Sequence, residues 1–336
     1  MGILENHKVV SRVFHALNAF LFIFPIHGVP ASVCHGPAGD IRSRPPAFQT
    51  IILDPGHGGI DPGTTNGLFS KEKDVTLAIA LKLGPAIQRE WPTVKIVYTR
   101  TADNLPGNAA TKNEGLMNRA IIANKARGDL FISIHCDATV KPAGGYYEKR
   151  VIGYSKKSEY VVKGKRKIKK IRTVPKFESY WVKNTMRGAT TYIWRADRNM
   201  DKSEAINELN EDSSGLDMQD STFAGWDQGS PEARMRAQLY EQKYFERSAL
   251  LGTCIEAAFA RSGRQTWGVK QRDVGIRVLE ATGMPSVLIE TGYLSNKEEE
   301  IYLNSPMGQE EVVQDILSAL KMYKQQLETG MVNGTK

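Results

Sequence analysis

The chain has 336 residues, 41% of them hydrophobic and 24% charged, a composition that belongs to a globular protein with a core of ordinary size in one large domain or two small ones. Its three cysteines, Cys34, Cys136 and Cys254, make neither a disulfide framework nor a CxxC metal motif. A formal net charge of +8 points to anionic surroundings and leaves nucleic acid, a membrane surface and an acidic polymer open.

The N-terminus reads as an export signal. Lys8 and Arg12 precede a stretch, Val13–Gly39, without a single Asp, Glu, Lys or Arg, and VFHALNAFLFIFPI is its apolar heart. Val29 and Ala31 are small enough for the −3 and −1 positions of a cleavage site, which sets a signal peptide at 1–31. A membrane anchor is the competing reading, but Asn18, Pro25 and two histidines interrupt a run that would need ~20 apolar residues to span. Residues 32–48 read as a linker, and a single domain is expected over 49–330.

From Gln49 onward strand and helix patterns alternate. Thr50–Gly63, TIILDPGHGGIDPG, begins as an apolar strand and breaks into a glycine-rich loop carrying His57. Lys73–Glu90 has helical spacing and stops before Pro92; Val94–Tyr98 is a strand, Leu116–Ala126 a helix, and Leu130–His135 a uniformly apolar strand. A long insertion, about 140–230, follows. In it Lys163–Arg172 holds seven positive charges and reads as a solvated loop, Gly188–Trp194 reads as a strand, and Asp201–Asp227 holds eight acidic residues. Pro231–Arg261 then reads as a long core helix, Val287–Glu290 as a late strand and Gly308–Leu327 as a closing amphipathic helix. Such alternation predicts an α/β layered domain around a largely parallel sheet.

The chemistry follows from counting. Four of the six histidines lie in the leader and linker, so the domain has only His57 and His135, each at the carboxyl end of an apolar strand. Glu290 ends another strand, and Glu72 opens the helix after the glycine loop. Neighbouring strands lie under ~5 Å apart, so these ends can meet beyond one edge of the sheet. Two imidazoles and a carboxylate with an open fourth position make a catalytic zinc set. An unliganded histidine pair is the other reading that the residues leave open.

In order along the chain, DPGHGGIDPG, Glu72 in KEKDVTLAIA, SIHCDA, GVKQ and PSVLIETGYLSN resemble the zinc-dependent N-acetylmuramoyl-L-alanine amidases of the amidase-3 type. The resemblance implies a single α/β domain with a mixed, mostly parallel sheet of about six strands flanked by helices. It implies Zn2+ held by His57, Glu72 and His135, and Glu290 as general base, with a structural carboxylate as the alternative for Glu290. Arg119 and Asn124 would support the site without touching the metal, and Lys270 and Gln271 would face substrate. The implied partner is peptidoglycan and not nucleic acid, with no stable membrane span once the leader is removed, in the periplasm or cell envelope. Related division amidases carry a blocking helix in the insertion, which makes Asp201–Asp212 a candidate plug, Glu208 or Glu211 its metal-facing residue, and a protein activator its release. An ordinary surface helix is the alternative there. The chain departs from the family at Cys136 and Asp137 after the second histidine and at Thr190 where a Glu is common, and Ala143–Arg187 is longer. Period-two alternation turns Cys136 away from His135, so it reads as a packed small hydrophobe.

Overall fold

The structure, a computed structural model, describes residues 47–195, 197, 231–272 and 276–330. Its frame is built from strands rich in β-branched residues. β1 (Thr50–Pro55), β2 (Lys95–Tyr98), β3 (Leu130–Asp137) and β8 (Ser286–Tyr293) run parallel, while β6 (Ala189–Trp194) and β7 (Thr266–Arg272) are reversed. The order across the six-stranded sheet is β2-β1-β3-β8-β6-β7. All eight residues of β8 are buried, as a central strand covered on both faces must be.

Helices cover both faces. α1 (Glu72–Glu90), α3 (Pro231–Arg261) and α6 (Pro306–Thr329) close one side, where Ile51, Leu53, Ile79, Leu83, Phe259 and Tyr323 belong to one buried cluster. α2 (Lys112–Lys125) and the short α4 (Arg277–Ala281) close the other, over Ile52, Phe131, Leu279 and Leu288. α1 starts with Glu72 and Asp74 in its first turn and has Arg89 in its last, the charge order its dipole favours. α6 is capped by Ser305, whose hydroxyl accepts from Gly308 N at 2.9 Å, and it ends on Gly330 in the left-handed region at φ 73°. Phe48, assigned above to the linker, is buried and packs edge-on against Trp91 at 5.3 Å, so the folded unit already includes it.

The mixed, mostly parallel six-stranded sheet matches expectation; the basic run does not. Lys163–Arg172 forms the turn and opening stretch of a two-stranded antiparallel hairpin, β4 (Gly145–Lys163) and β5 (Arg166–Lys183). Its residues are solvated, as expected, but the backbone is strand: Val161, Val162, Ile168 and Ile171 interleave with the charges and supply β propensity that charge counting overlooks. Edge strand β7 and helices α4 and α5 (Lys297–Asn304) were not anticipated either. The proposed plug, Asp201–Asp212 with Glu208 and Glu211, and the leader lie outside the described residues.

α5 positions the functional edge through one carboxylate. Fully buried Glu300 accepts from the backbone N–H of Leu68, Phe69 and Ser70 at 2.9, 3.0 and 2.8 Å, and from the Ser70 hydroxyl at 2.7 Å. That fastens the loop leading into Glu72. Replacing Glu300 by Ala leaves four part-buried donors, three N–H groups and one hydroxyl, without their acceptor, and the expected loss is about 3 kcal/mol of stability in urea unfolding. A loss under about 1 kcal/mol would show that the loop holds itself.

Candidate metal and catalytic site

Beyond Pro55 the chain folds over the end of β3, with Gly56 N donating to Ile134 O at 2.9 Å. A Cβ at Gly56 would fall 2.4 Å from His135 Cε1, so only glycine lets the loop cross that ring. His57 itself is left-handed at φ 61°, a strained setting for a non-glycine residue. Two buried guanidinium groups hold it there. Arg119 donates to Pro55 O at 2.7 Å and His57 O at 2.5 Å, and Arg100 donates to Pro55 O at 3.1 Å and Gly56 O at 2.8 Å.

Their charge is balanced from inside the sheet. Asp54, 1% exposed, pairs with Arg119 and accepts from the hydroxyls of Thr99 at 2.6 Å and Ser133 at 2.7 Å. Burial alone would raise its pKa. Arg119 and the two hydroxyls outweigh that and hold the carboxyl below the usual range.

Glu72 lies at the centre of the site. It is 4% exposed, and its Oε1 sits 3.1 Å from His57 Nε2 and 2.9 Å from His135 Nδ1. The two rings are edge to face with centroids 4.8 Å apart. One ligand atom from each of His57, Glu72 and His135 lies within 4.8 Å of the others, close to what a single ion with ~2 Å bonds needs. Burial would neutralise Glu72, yet the flanking imidazoles hold its pKa far below the ordinary carboxylate value. Two imidazoles and an ionised carboxylate make a donor set that fits a divalent ion.

Asp61 completes the arrangement and was missed from the sequence. Its Oδ2 lies 2.7 Å from His57 Nδ1, while Lys112 Nζ reaches its Oδ1 at 2.7 Å. A carboxylate behind a ligand histidine fixes ring orientation and tautomer. The available signal was its place four residues after His57 in the same loop. Burial would lower the pKa of His57, but Glu72 and Asp61 on either side raise it.

Glu290 pairs with His135 in the β3–β8 register, so both side chains leave the same face of the sheet. It is 8% exposed, and its Oε2 has no hydrogen-bond partner. Burial, then the charges of Glu72 and Asp137, push its pKa well up, while Arg272 pulls it down. Arg272, lying over the Tyr192 ring at 5.3 Å, is the β7 residue whose charge bears on Glu290. Lys270 and Gln271 stand exposed on the same edge strand, separated from β8 by β6, and outside the His57–Glu72–His135 group.

Arg119 acts on the His57 loop as described. Asn124 works farther off: it donates to Ala281 O and accepts from Gly283 N, both at 2.9 Å, and so ties α2 to the turn before β8. Cys136 is buried in the core, its sulfur 3.2 Å from the Thr291 hydroxyl. A cleft of about 280 Å³ opens beside the imidazoles, with Leu116, Ile276 and Val278 as apolar wall and Lys112, paired with Asp61, among its lining.

A mixed α/β sheet with a His–Glu–His cluster beyond the carboxyl ends of its strands is an architecture that could hold a metal ion. The family follows from comparison: the N-acetylmuramoyl-L-alanine amidase model of the amidase-3 type matches residues 51–322, and the chain belongs to that family, whose members are zinc-dependent in general. The chain is 29% identical over 297 residues to N-acetylmuramoyl-L-alanine amidase AmiC of Escherichia coli O6:H1, an alignment covering 86% of this chain and 54% of AmiC. It is 40% identical over 89 residues to the sporulation-specific N-acetylmuramoyl-L-alanine amidase of Bacillus subtilis, covering 26% of this chain and 31% of that one. The chain thus spans about half of AmiC and less of the other relative. Among solved structures, the CwlD amidase from Clostridioides difficile in complex with the GerS lipoprotein aligns with TM-score 0.49 and 26% identity over 82% of this chain and 98% of that one.

The Asp54–Arg119 pair yields a prediction with a defined sign. A folded-state pKa below the unfolded one contributes stability above about pH 4, and that contribution is lost as pH falls through the folded value. Asp54→Asn leaves Arg119 buried without its counter-charge and should cost about 3–5 kcal/mol at pH 7. The gap to wild type in denaturant unfolding should narrow below about pH 4; a pH-independent gap would contradict the assignment.

Proposed function

We propose that this chain is a zinc-dependent hydrolase of the amide between N-acetylmuramic acid and L-alanine in peptidoglycan, releasing stem peptides during wall remodelling or daughter-cell separation. The observation that carries the reading is the convergence of His57, Glu72 and His135 within 4.8 Å beside a buried Glu290 with an unpartnered oxygen. In this proposal the first three hold Zn2+ and leave its fourth position open. When bound, zinc supplies a Lewis acid for the scissile carbonyl and lowers the pKa of water from ~16 toward ~7. Glu290 takes a proton from the attacking water and returns it to the leaving amine, a task suited to a carboxyl whose pKa burial has raised. Asp61 keeps His57 in its ligand orientation. The cleft lined by Leu116 and Ile276 gives the site an apolar wall on one side.

Export through residues 1–31, residence in the periplasm or cell envelope, and a protein activator belong to the same proposal. So does restraint by Asp201–Asp212 through Glu208 or Glu211, and a substrate contact from Lys270 or Gln271. Among the described residues no helix is long and apolar enough to cross a membrane.

Purified wild-type protein should carry about one zinc per chain and His135→Ala almost none, while Glu290→Gln should keep its zinc and lose on the order of 10²–10⁴-fold in rate. Digested sacculi should yield free peptides with a new alanine amine; cut peptides or acetate would mean a different hydrolase, and no product a non-catalytic wall binder. Deleting Lys202–Gln228 should raise sacculus hydrolysis, and an unchanged rate would retire the idea of restraint by that segment.

A further inference from the structure

The β4–β5 hairpin is unlike anything the amide chemistry needs. Its strands of 19 and 18 residues reach about 60 Å, and nearly every residue beyond the root is exposed on both faces. A free two-stranded ribbon is marginal in water. The root is well anchored: Asn184 Nδ2 donates to Thr139 Oγ1 at 2.8 Å, and Lys183 pairs with Glu298.

Register sorts the side chains into two chemically different faces. Residues opposite one another share a face, so Tyr147–Trp181, Val151–Phe177, Tyr154–Pro175, Ser158–Ile171 and Val162–Lys167 all lie on one side. That side carries Tyr147, Tyr154, Tyr160, Phe177 and Trp181, with the three tyrosines 70%, 69% and 68% exposed. Tyr147 and Trp181 form an edge-to-face pair at 5.1 Å. The charges on this face are Lys149, Lys156, Lys167 and Lys169, all positive.

The three acidic residues of the hairpin, Glu148, Glu159 and Glu178, all lie on the opposite face. There they pair internally: Arg150 with Glu178 at 2.7 Å, Arg172 with Glu159 at 3.8 Å, and Tyr180 donating to Glu148 at 2.8 Å. Thirteen Lys and Arg stand against those three Glu over residues 145–183. The face with the glutamates thus holds both internal ion pairs, beside the further cations Lys157, Lys163, Arg166, Lys170 and Lys176 and the exposed Val161 and Ile168. The other holds most of the aromatic side chains and only cations for charge, with no counter-charge paired to them among the described residues.

We propose that this second face docks on an anionic phospholipid bilayer, the ribbon lying along the headgroups. Tyr and Trp favour that interface, where an apolar ring and a polar tip are both satisfied, and lysines beside them meet lipid phosphates. A hydrated anionic polymer such as the wall would satisfy the lysines and give nothing to Val151, Val162, Ile171 and Phe177, which are 48–65% exposed. The proposal rests on the hairpin alone and is independent of the amidase reading.

Paired probes test the face directly. Cys136 and Cys254 are buried, so Cys34→Ser combined with Ser158→Cys or Ser155→Cys gives one accessible thiol on the aromatic or the ion-paired face of the full chain. Each thiol is labelled with an environment-sensitive fluorophore and mixed with vesicles of phosphatidylglycerol and phosphatidylcholine. The Ser158→Cys probe should shift to the blue and the Ser155→Cys probe should not, with no shift on phosphatidylcholine alone. Changing Lys149, Lys156, Lys167 and Lys169 to Glu should raise the lipid needed for half the signal on the order of a hundredfold. The same charge change at Lys157, Lys163, Lys170 and Lys176 should raise it much less and controls for folding. The proposal is overturned by no shift at the Ser158→Cys probe, by equal shifts at both, by a shift with purified sacculi instead of vesicles, or by a concentration-dependent shift without lipid.

Discussion

A carboxylate buried between two imidazoles has to be kept ionised by its surroundings, and at Glu72 that requirement reaches far into the fold. His57 and His135 come from different strands, and each can face Glu72 only if the chain crosses the sheet edge at very short range. Gly56 passes over the His135 ring, and Gly63 passes over Glu72 so closely that a Cβ there would sit 2.4 Å from Oε2. Such crossings store strain and expose carbonyls, and the carbonyls are held by Arg100 and Arg119. Those guanidinium groups are buried in turn, and Asp54 in the middle of the parallel sheet offsets their charge. The arrangement runs from hydrophobic strands, through one ion pair, to the position of a single histidine. Removing any link leaves a buried charge or a buried dipole without a partner, which costs more than the link itself contributes.

This dependence explains what was legible from residues alone. Strand ends carrying His57, His135 and Glu290 could be read because a buried parallel strand is a continuous apolar run and its carboxyl end is where polar residues are tolerated. Glu72 could be read because it opens a helix with clear 3.6 spacing. Asp61 escaped because its role is set by the loop conformation that brings it back to His57, and four residues of glycine-rich loop have no periodicity to reveal it. Arg272 escaped for a different reason: it acts across β6, and the strand order β8-β6-β7 is not a property of any local pattern. Asn124 was placed in the correct helix, but its partners could not be read, since Ala281 and Gly283 lie more than 150 residues on along the chain.

The hairpin makes the same point from the opposite side. Seven positive charges in ten residues usually signal a solvated loop, and the charges are indeed solvated. What charge counting missed is the period-two placement of Tyr154, Lys156, Ser158, Tyr160 and Val162 on one face and Glu159, Val161 and Lys163 on the other. In an ordinary sheet such alternation would separate core from water. Here neither face belongs to a buried cluster among the described residues, so the alternation does not sort core from water.

The two devices are also separable in physical terms. Everything that fixes Glu72 lies within the sheet, its flanking helices and the loops at one edge, while the hairpin leaves the domain after β3 and returns before β6 through a root of its own hydrogen bonds. A perturbation at the tip of the ribbon has no packed side chains through which to reach the imidazoles, because beyond Tyr147 and Trp181 it touches no buried cluster among the described residues. Coupling between them, where it exists, is therefore one of location. A surface that holds the ribbon also holds the sheet edge bearing His57, Glu72 and His135 within a hairpin's length of it, and raises the local concentration of whatever polymer lies there without altering the chemistry at the edge.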